Sequence, residues 1–163
     1  MADTSKPSDK VVLITGAASG LGRQLATDLG RRGRRLVLFD RNAEQLQETL
    51  ALCAGSGVEA AAVVGDVTVP EDCRRFIDTS IARFGRIDTL IANAGISMWA
   101  RFEDITDVSI FARLVEVNYL GVVYCTHYAL PYVLKSRGAL VAISSIQGKI
   151  PVPFHTGYVA SKH

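Results

Sequence analysis

The stretch VVLITGAASGLG, residues 11–22, decides the fold. Its first four residues, Val11 to Ile14, are too short an apolar run for a helix and suit a strand buried on both faces. Gly16, Gly20 and Gly22 follow at once. An amphipathic run with Leu21, Leu25, Ala26 and Leu29 starts among those glycines. The order reads strand, tight turn, helix. Backbone without Cβ atoms can approach a pyrophosphate closely, and a helix N-terminus offers N–H groups and partial positive charge.

Outward from this unit the alternation repeats. Gly33 breaks the first helix between Arg31, Arg32 and Arg34, Arg35. These arginines read as helix closure, because cations suit the negative end of a helix dipole. No aromatic residues interleave with them, as a nucleic-acid platform requires. Further strands are expected at 36–39, 58–64, 87–92 and 139–144. Helices are expected from residue 42 or 43 through Leu52, from Pro70 to Gly85, from about 106 to 135, and from 157 onward. Pro131 is expected to kink or end the long helix. Residues 93–103 and 147–156 read as loops. Alternating strands and helices predict an α/β fold: a doubly wound, Rossmann-type, mainly parallel sheet of order 3-2-1-4-5 with helices on both faces.

The 163 residues suit one domain, residues 10–163, behind a polar tail at 1–9. The chain is 48% hydrophobic, and its net charge of +2 is too small to argue for nucleic acid or an acidic membrane surface. Cys53, Cys73 and Cys125 are widely spaced, which predicts neither a disulfide framework nor a metal site. The start MADTSKPSDK lacks the apolar core of a signal peptide. No apolar stretch approaches the roughly 18 residues of a membrane span. A cytoplasmic protein without nucleic-acid partners is expected.

Asp40 ends the second strand 18 residues after Gly22, near the spacing at which a carboxylate reaches the adenosine ribose. Such a carboxylate favours NAD over NADP, while Arg41 beside it could pair with a 2′-phosphate. Asp66, after the third strand, could meet the adenine edge. Each aspartate could equally be a turn residue. Tyr158 and Lys162 stand at i and i+4 on one helix face. Asn118 inside a helix is unfavourable by propensity, which points to a specific hydrogen-bonding task. His127 reads as packing or surface and His155 as loop, with no metal companions. Met98, Trp99, Ile146 and Phe154 could line an apolar substrate pocket or simply pack.

TGAASGLG (15–22), Asp40, Asp66-Val67, ANAG (92–95), Asn118, Ser144-Ser145 and YVASK (158–162) stand in the order of the classical short-chain dehydrogenase/reductase family, which the chain resembles from Lys10 onward. The stretch AISSIQGKIPVPF with YVASKH is similar to the hydroxysteroid-dehydrogenase-like branch. The resemblance implies NAD(P)-dependent interconversion of a secondary alcohol and a ketone on a small or lipophilic substrate. It implies Tyr158 as general acid/base and Lys162 as its activator and holder of the nicotinamide ribose. Ser145 would bond the substrate oxygen, and Asn118 would support a water beside Lys162. An ammonium about 5 Å from a phenol offers roughly 3 kcal/mol toward the phenolate at an effective dielectric near 20. The resemblance further implies a cofactor cleft lined by Thr15, Gly16, Ser19, Gly20, Leu21, Gly22, Asp40 and Arg41. Asp66, Val67, Asn93, Ala94 and Gly95 would complete it, with Tyr158 and Lys162 at its inner end. A homodimer or homotetramer through the long helix and the Tyr158 helix is implied too. Ala92 departs from the second asparagine common in the family. Only His163 follows Lys162, whereas family members continue. The alternative expectation is therefore a catalytically incompetent cofactor- or partner-binding fragment with its fifth strand as an open edge.

Overall fold

The computed structural model describes residues 8–55 and 57–163. Strand β1 spans Ser8–Thr15, β2 Arg34–Asp40, β3 Ala60–Val64, β4 Thr89–Ala92 and β5 Ala139–Ala142. All neighbours pair in parallel, in the order β3-β2-β1-β4-β5. Helix α1 spans Gly20–Arg31, α2 Ala43–Ala54 and α3 Pro70–Phe84. Helix α4 (Ser109–Val115) runs through a π turn (Glu116–Leu120) into α5 (Gly121–Ser136), and α6 covers Thr156–Lys162.

The central strand explains the layers. Val11 and Leu13 enter one core with Phe76 and Ile77 of α3 and Cys125, Ala129 and Val133 of α5. Val12 and Ile14 enter the other with Ala26 of α1 and Leu46 and Cys53 of α2. A strand buried on both faces has no polar side to show, so its sequence runs apolar without alternation. Phe39 stacks on Phe76 at 4.8 Å between ring centroids, joining β2 to α3.

Several boundaries differ from the sequence expectation. Residues 1–7 of the expected tail lie outside the described residues. Ser8 and Asp9 belong to β1, with Ser8 in register with Arg34. The fourth strand starts at Thr89, not at 87. Asp88 N already donates to Val11 O (2.9 Å), but the Asp88 carboxylate takes the Val11 N–H (2.9 Å), which delays the regular ladder. The third strand starts two residues late and the fifth ends two residues early. Pro131 does not end the long helix, which continues to Ser136. Its neighbours Ala129 and Val133 are anchored in the core, which offsets one missing backbone bond.

Candidate active site

A cleft of about 370 Å³ opens along the C-terminal edge of the sheet. From Thr15 the chain turns through Gly16 (φ +67°) and Gly20 (φ +51°), left-handed conformations that favour glycine. A Cβ on Gly22 would collide with the Gly16 carbonyl oxygen and stand 2.7 Å from Asn93 Nδ2. The turn therefore lies flat on the first turn of α1. Ser19 caps that helix without a side-chain bond, and Ser19, Gly20 and Leu21 line the cleft. The first N–H groups of a helix have no partner inside it, so this edge suits an anion.

Asn93 lines the cleft, whereas Thr15, expected there as well, is buried behind it and braces it. Thr15 Oγ1 accepts from Asn93 N and Ala94 N, both at 3.0 Å. Asn93 Nδ2 donates to Thr15 O (2.9 Å) and Gly16 O (3.2 Å). Asp40 is a turn-holding residue, as one of its sequence readings expected. Its oxygens accept from Ala18 N (3.0 Å) and Asn42 N (2.9 Å), holding the turn, and it lines the cleft next to Arg41. Asp66 Oδ1 accepts from Thr68 N and Thr68 Oγ1, both at 2.9 Å. Its backbone N–H goes to Asp72 Oδ2. That bond, aided by Arg75, holds the Asp72 carboxyl below the usual carboxylate range. Val67 is wedged against Gly121, where a Cβ would stand 2.9 Å from its side chain.

At the inner end of the cleft two side chains converge on Gly95. A Cβ there would stand 3.2 Å from Asn118 Oδ1 and 3.4 Å from Lys162 Nζ. Asn118, 5% exposed in the π turn, accepts from Ile96 N (2.8 Å). Its Nδ2 donates to Ile96 O (2.9 Å) and Ser161 Oγ (2.8 Å). π turns recur at functional sites because the wider ring lets one residue depart from helical register. Lys162 Nζ donates to Ile143 O (2.9 Å), and burial pushes its ammonium pKa down. Ser144 Oγ donates to Lys162 O (3.3 Å), while Ser145 Oγ accepts from Gln147 N (3.2 Å).

The structure thus gathers Asn118, Gly95 and Lys162. Among the described residues, Ser145 and Tyr158 share no hydrogen bond. Tyr158 is half-buried, its ring edge-on to His155 with centroids 6.1 Å apart. Trp99 stacks on His155, yet it is 78% exposed, and Ile146 and Phe154 are exposed as well. These apolar residues form an open shelf rather than an enclosed pocket. Sequence reasoning missed Ser161 and Ile96, the two partners of Asn118. Ser161 sits at an interior position of the YxxxK motif, and only its burial marks it.

A family model for the short chain dehydrogenases matches residues 10–163. The chain belongs to the short-chain dehydrogenase family. An 11-beta-hydroxysteroid dehydrogenase-like protein 4A of Arabidopsis thaliana is 42% identical over 161 residues, covering 98% of this chain and 54% of that protein. The 11-beta-hydroxysteroid dehydrogenase A of Sesamum indicum is 41% identical over 94% of this chain and 44% of that protein. The chain spans about half the length of the curated relatives it matches. Two solved structures share the fold. An NAD+-bound xylitol dehydrogenase superposes with a TM-score of 0.91 at 31% identity, over 97% of this chain and 61% of that one. An alcohol dehydrogenase of Thermococcus sibiricus complexed with 5-hydroxy-NADP superposes with a TM-score of 0.89 at 32% identity, over 94% of this chain and 65% of that one. Among the described residues no helix is long and apolar enough to cross a membrane.

Proposed function

We propose that the chain carries the cofactor-binding and proton-transfer parts of an NAD(P)-dependent oxidoreductase that interconverts a secondary alcohol and a ketone. The observation that carries this reading is the placement of Lys162 Nζ at Gly95, where the cleft meets the YxxxK helix. The residues present fit a nicotinamide dinucleotide. Bare N–H groups open α1 for the pyrophosphate, and crowding at Gly16 and Gly22 keeps the turn flat beneath it. Asp40 lines the cleft beside Arg41, and its carboxylate would accept from an adenosine ribose. When bound, the nicotinamide supplies the hydride acceptor or donor.

The chain's own residues handle the proton. Tyr158 donates it to the substrate oxygen in reduction and takes it in oxidation. The Lys162 ammonium stabilises the tyrosinate electrostatically and bonds the ribose. Ser145 orients the substrate oxygen, and its hydroxyl keeps a donor after accepting from Gln147. Asn118 fixes Ile96 to α6, and so holds Lys162 at the cleft. The Asp40 carboxylate disfavours a 2′-phosphate, so NAD is the preferred cofactor, with NADP admitted through Arg41. The substrate is a small alcohol or ketone, and the exposed shelf around Trp99 suits a lipophilic one. Exposed Val115, Tyr119, Val123 and Leu130 on α4, the π turn and α5 support self-association as a dimer or tetramer.

Substituting Tyr158→Phe tests the mechanism. Turnover should fall at least about a thousandfold. Fluorescence titration should give an NADH affinity within about twofold of the parent, since the hydroxyl acts on substrate. The same titration with NADPH should show weaker binding. Full turnover in the variant would overturn the assignment.

A further inference from the structure

Arg31, Arg32, Arg34 and Arg35 read in sequence as closers of one helix. The fold brings other cations to them. All five strands are parallel, so their N-terminal ends share one edge of the sheet, opposite the cleft. Helices α1, α2, α3 and α5 deliver their C-terminal ends to that edge. There Arg83 lies in the last turn of α3, and Arg86 precedes β4. Lys135 lies in the last turn of α5 and Arg137 caps it, while Lys10 lies early in β1. Among the described residues, the edge holds nine of 17 Lys and Arg residues. Of the 15 described acidic residues, Asp9, Asp28, Glu59 and Asp88 join them. The edge is therefore net +5 and the remaining described residues net −3. The small overall charge conceals a polarised molecule.

Helix dipoles account for part of this. Arg31, Arg83 and Lys135 lie in last turns, where a cation is favoured. Arg34, Arg35, Arg86 and Arg137 lie beyond the helices and need another reason. Local pairing covers some of them. Asp28 meets Arg31 (3.1 Å), Glu59 meets Arg35 (3.3 Å), and Asp88 takes Arg86 through two bonds (2.8 and 2.7 Å). Arg32, Arg83, Lys135 and Arg137 are exposed, with no carboxylate partner among the described residues.

Two leucines flank the cations on opposite faces of the sheet. Leu52, in the last turn of α2, is 54% exposed, and Leu134, in the last turn of α5, is 67% exposed. Between the ends of α3 and α5 lies a recess of about 370 Å³ bordered by Arg86, Lys135 and Tyr132. A nucleic-acid platform needs open aromatic faces. Of the aromatic rings at this edge, Phe84 is covered by the guanidinium groups of Arg35 (5.9 Å) and Arg83 (5.5 Å), and Tyr132 packs half-buried against the core. Clustered cations between exposed leucines match an anionic headgroup layer, where the leucines enter the interface and the cations meet phosphates. We propose that this basic edge docks the protein onto an anionic phospholipid bilayer, with the cleft facing away from it.

Co-sedimentation with vesicles tests this. The chain should bind phosphatidylcholine vesicles carrying about 30% phosphatidylserine at about 0.1 M salt and detach as salt rises. It should ignore pure phosphatidylcholine. The triple variant Arg83→Glu, Lys135→Glu, Arg137→Glu should bind at least about a hundredfold more weakly, from roughly fivefold per cation lost. A control with the same charge change elsewhere, Arg101→Glu, Arg113→Glu, Lys149→Glu, should lose much less. Circular dichroism of both variants should match the parent. Equal losses in the two variants, or binding indifferent to phosphatidylserine, would overturn the proposal. So would displacement from vesicles by single-stranded RNA at equal charge concentration.

Discussion

The cofactor side and the substrate side of the cleft are built on different plans. On the cofactor side Thr15, Asn93, Asp40 and Asp66 commit their side chains to backbone. Thr15, Asn93 and Asp40 together hold six main-chain groups. A second copy of the same economy appears where Asp66 holds Thr68 and Asp72 holds Asp66. On the substrate side, Ser145 accepts one bond, Trp99 stands in solvent, and all four residues of β5 are exposed. A phosphate-reading surface must present backbone N–H groups in a fixed array, which side chains brace from behind. A substrate surface presents side chains themselves, so fewer of them are spent on bracing. Asn118 spans the two plans, with Ile96 on one hand and Ser161 on the other.

The largest effect expected from breaking this contrast is at Gly22. Gly22→Ala forces a Cβ into the Gly16 carbonyl. A loss of about 3 kcal/mol is expected, a fall in Tm of roughly 6–12 °C at this chain length. Gly20→Ala has open space around the Cβ and should suffer only the left-handed backbone cost of about 1–2 kcal/mol. Equal Tm values for the two would refute the flat-turn argument.

Next comes the bridge between the two sides. Asn118→Ala removes three side-chain bonds, at about 1 kcal/mol each. Hydrogen exchange should accelerate at least about tenfold in Thr156–Lys162, while β1 amides change little. Uniform acceleration across the fold would remove Asn118 from its positioning role.

The smallest effect on stability, and the opposite in sign, concerns Lys162. Its pKa lies below the ordinary 10.5 because burial disfavours the ammonium. Between the folded and the unfolded pKa the unfolded chain binds more protons, so stability rises with pH through that window. The penalty is complete below the folded pKa. Lys162→Met should therefore lose turnover while its Tm at pH 7 is no lower than the parent's. Any gain should shrink as pH approaches 10.5. A Tm well below the parent's would show that the bond to Ile143 outweighs the burial of charge.

The cofactor side was readable in sequence because its constraints are local. Uninterrupted apolar residues announced β1; Gly16 and Gly22 sit where Cβ atoms have no room, and Gly20 holds a left-handed backbone. Asp40 was visible by spacing alone, although its bonds to Ala18 and Asn42 were not. The bond from Asn118 to Ser161 crosses 43 residues, and nothing in either neighbourhood signals it. Of the two readings of Pro131, the helix end fails, because the packing of Ala129 and Val133 outweighs a local breaker. The basic edge was invisible for a related reason. Its charges come from separate connections in the chain, and only the parallel sheet brings them to one place.

The π turn has a further consequence. One residue beyond the α-helical count rotates all that follows by about 100° about the axis. Leu114 and Phe111 of α4 therefore keep contact with Gly157 of α6, while Gly121 and Cys125 of α5 face Val67 and the sheet core. A straight helix through the same positions would align one of these faces and swing the other away. Deleting a residue from 116–120 would yield a smoother rod that could seat itself against the core or against α6, but not both. The irregular turn acts as a phase shifter, letting one continuous helix serve two surfaces that lie out of step.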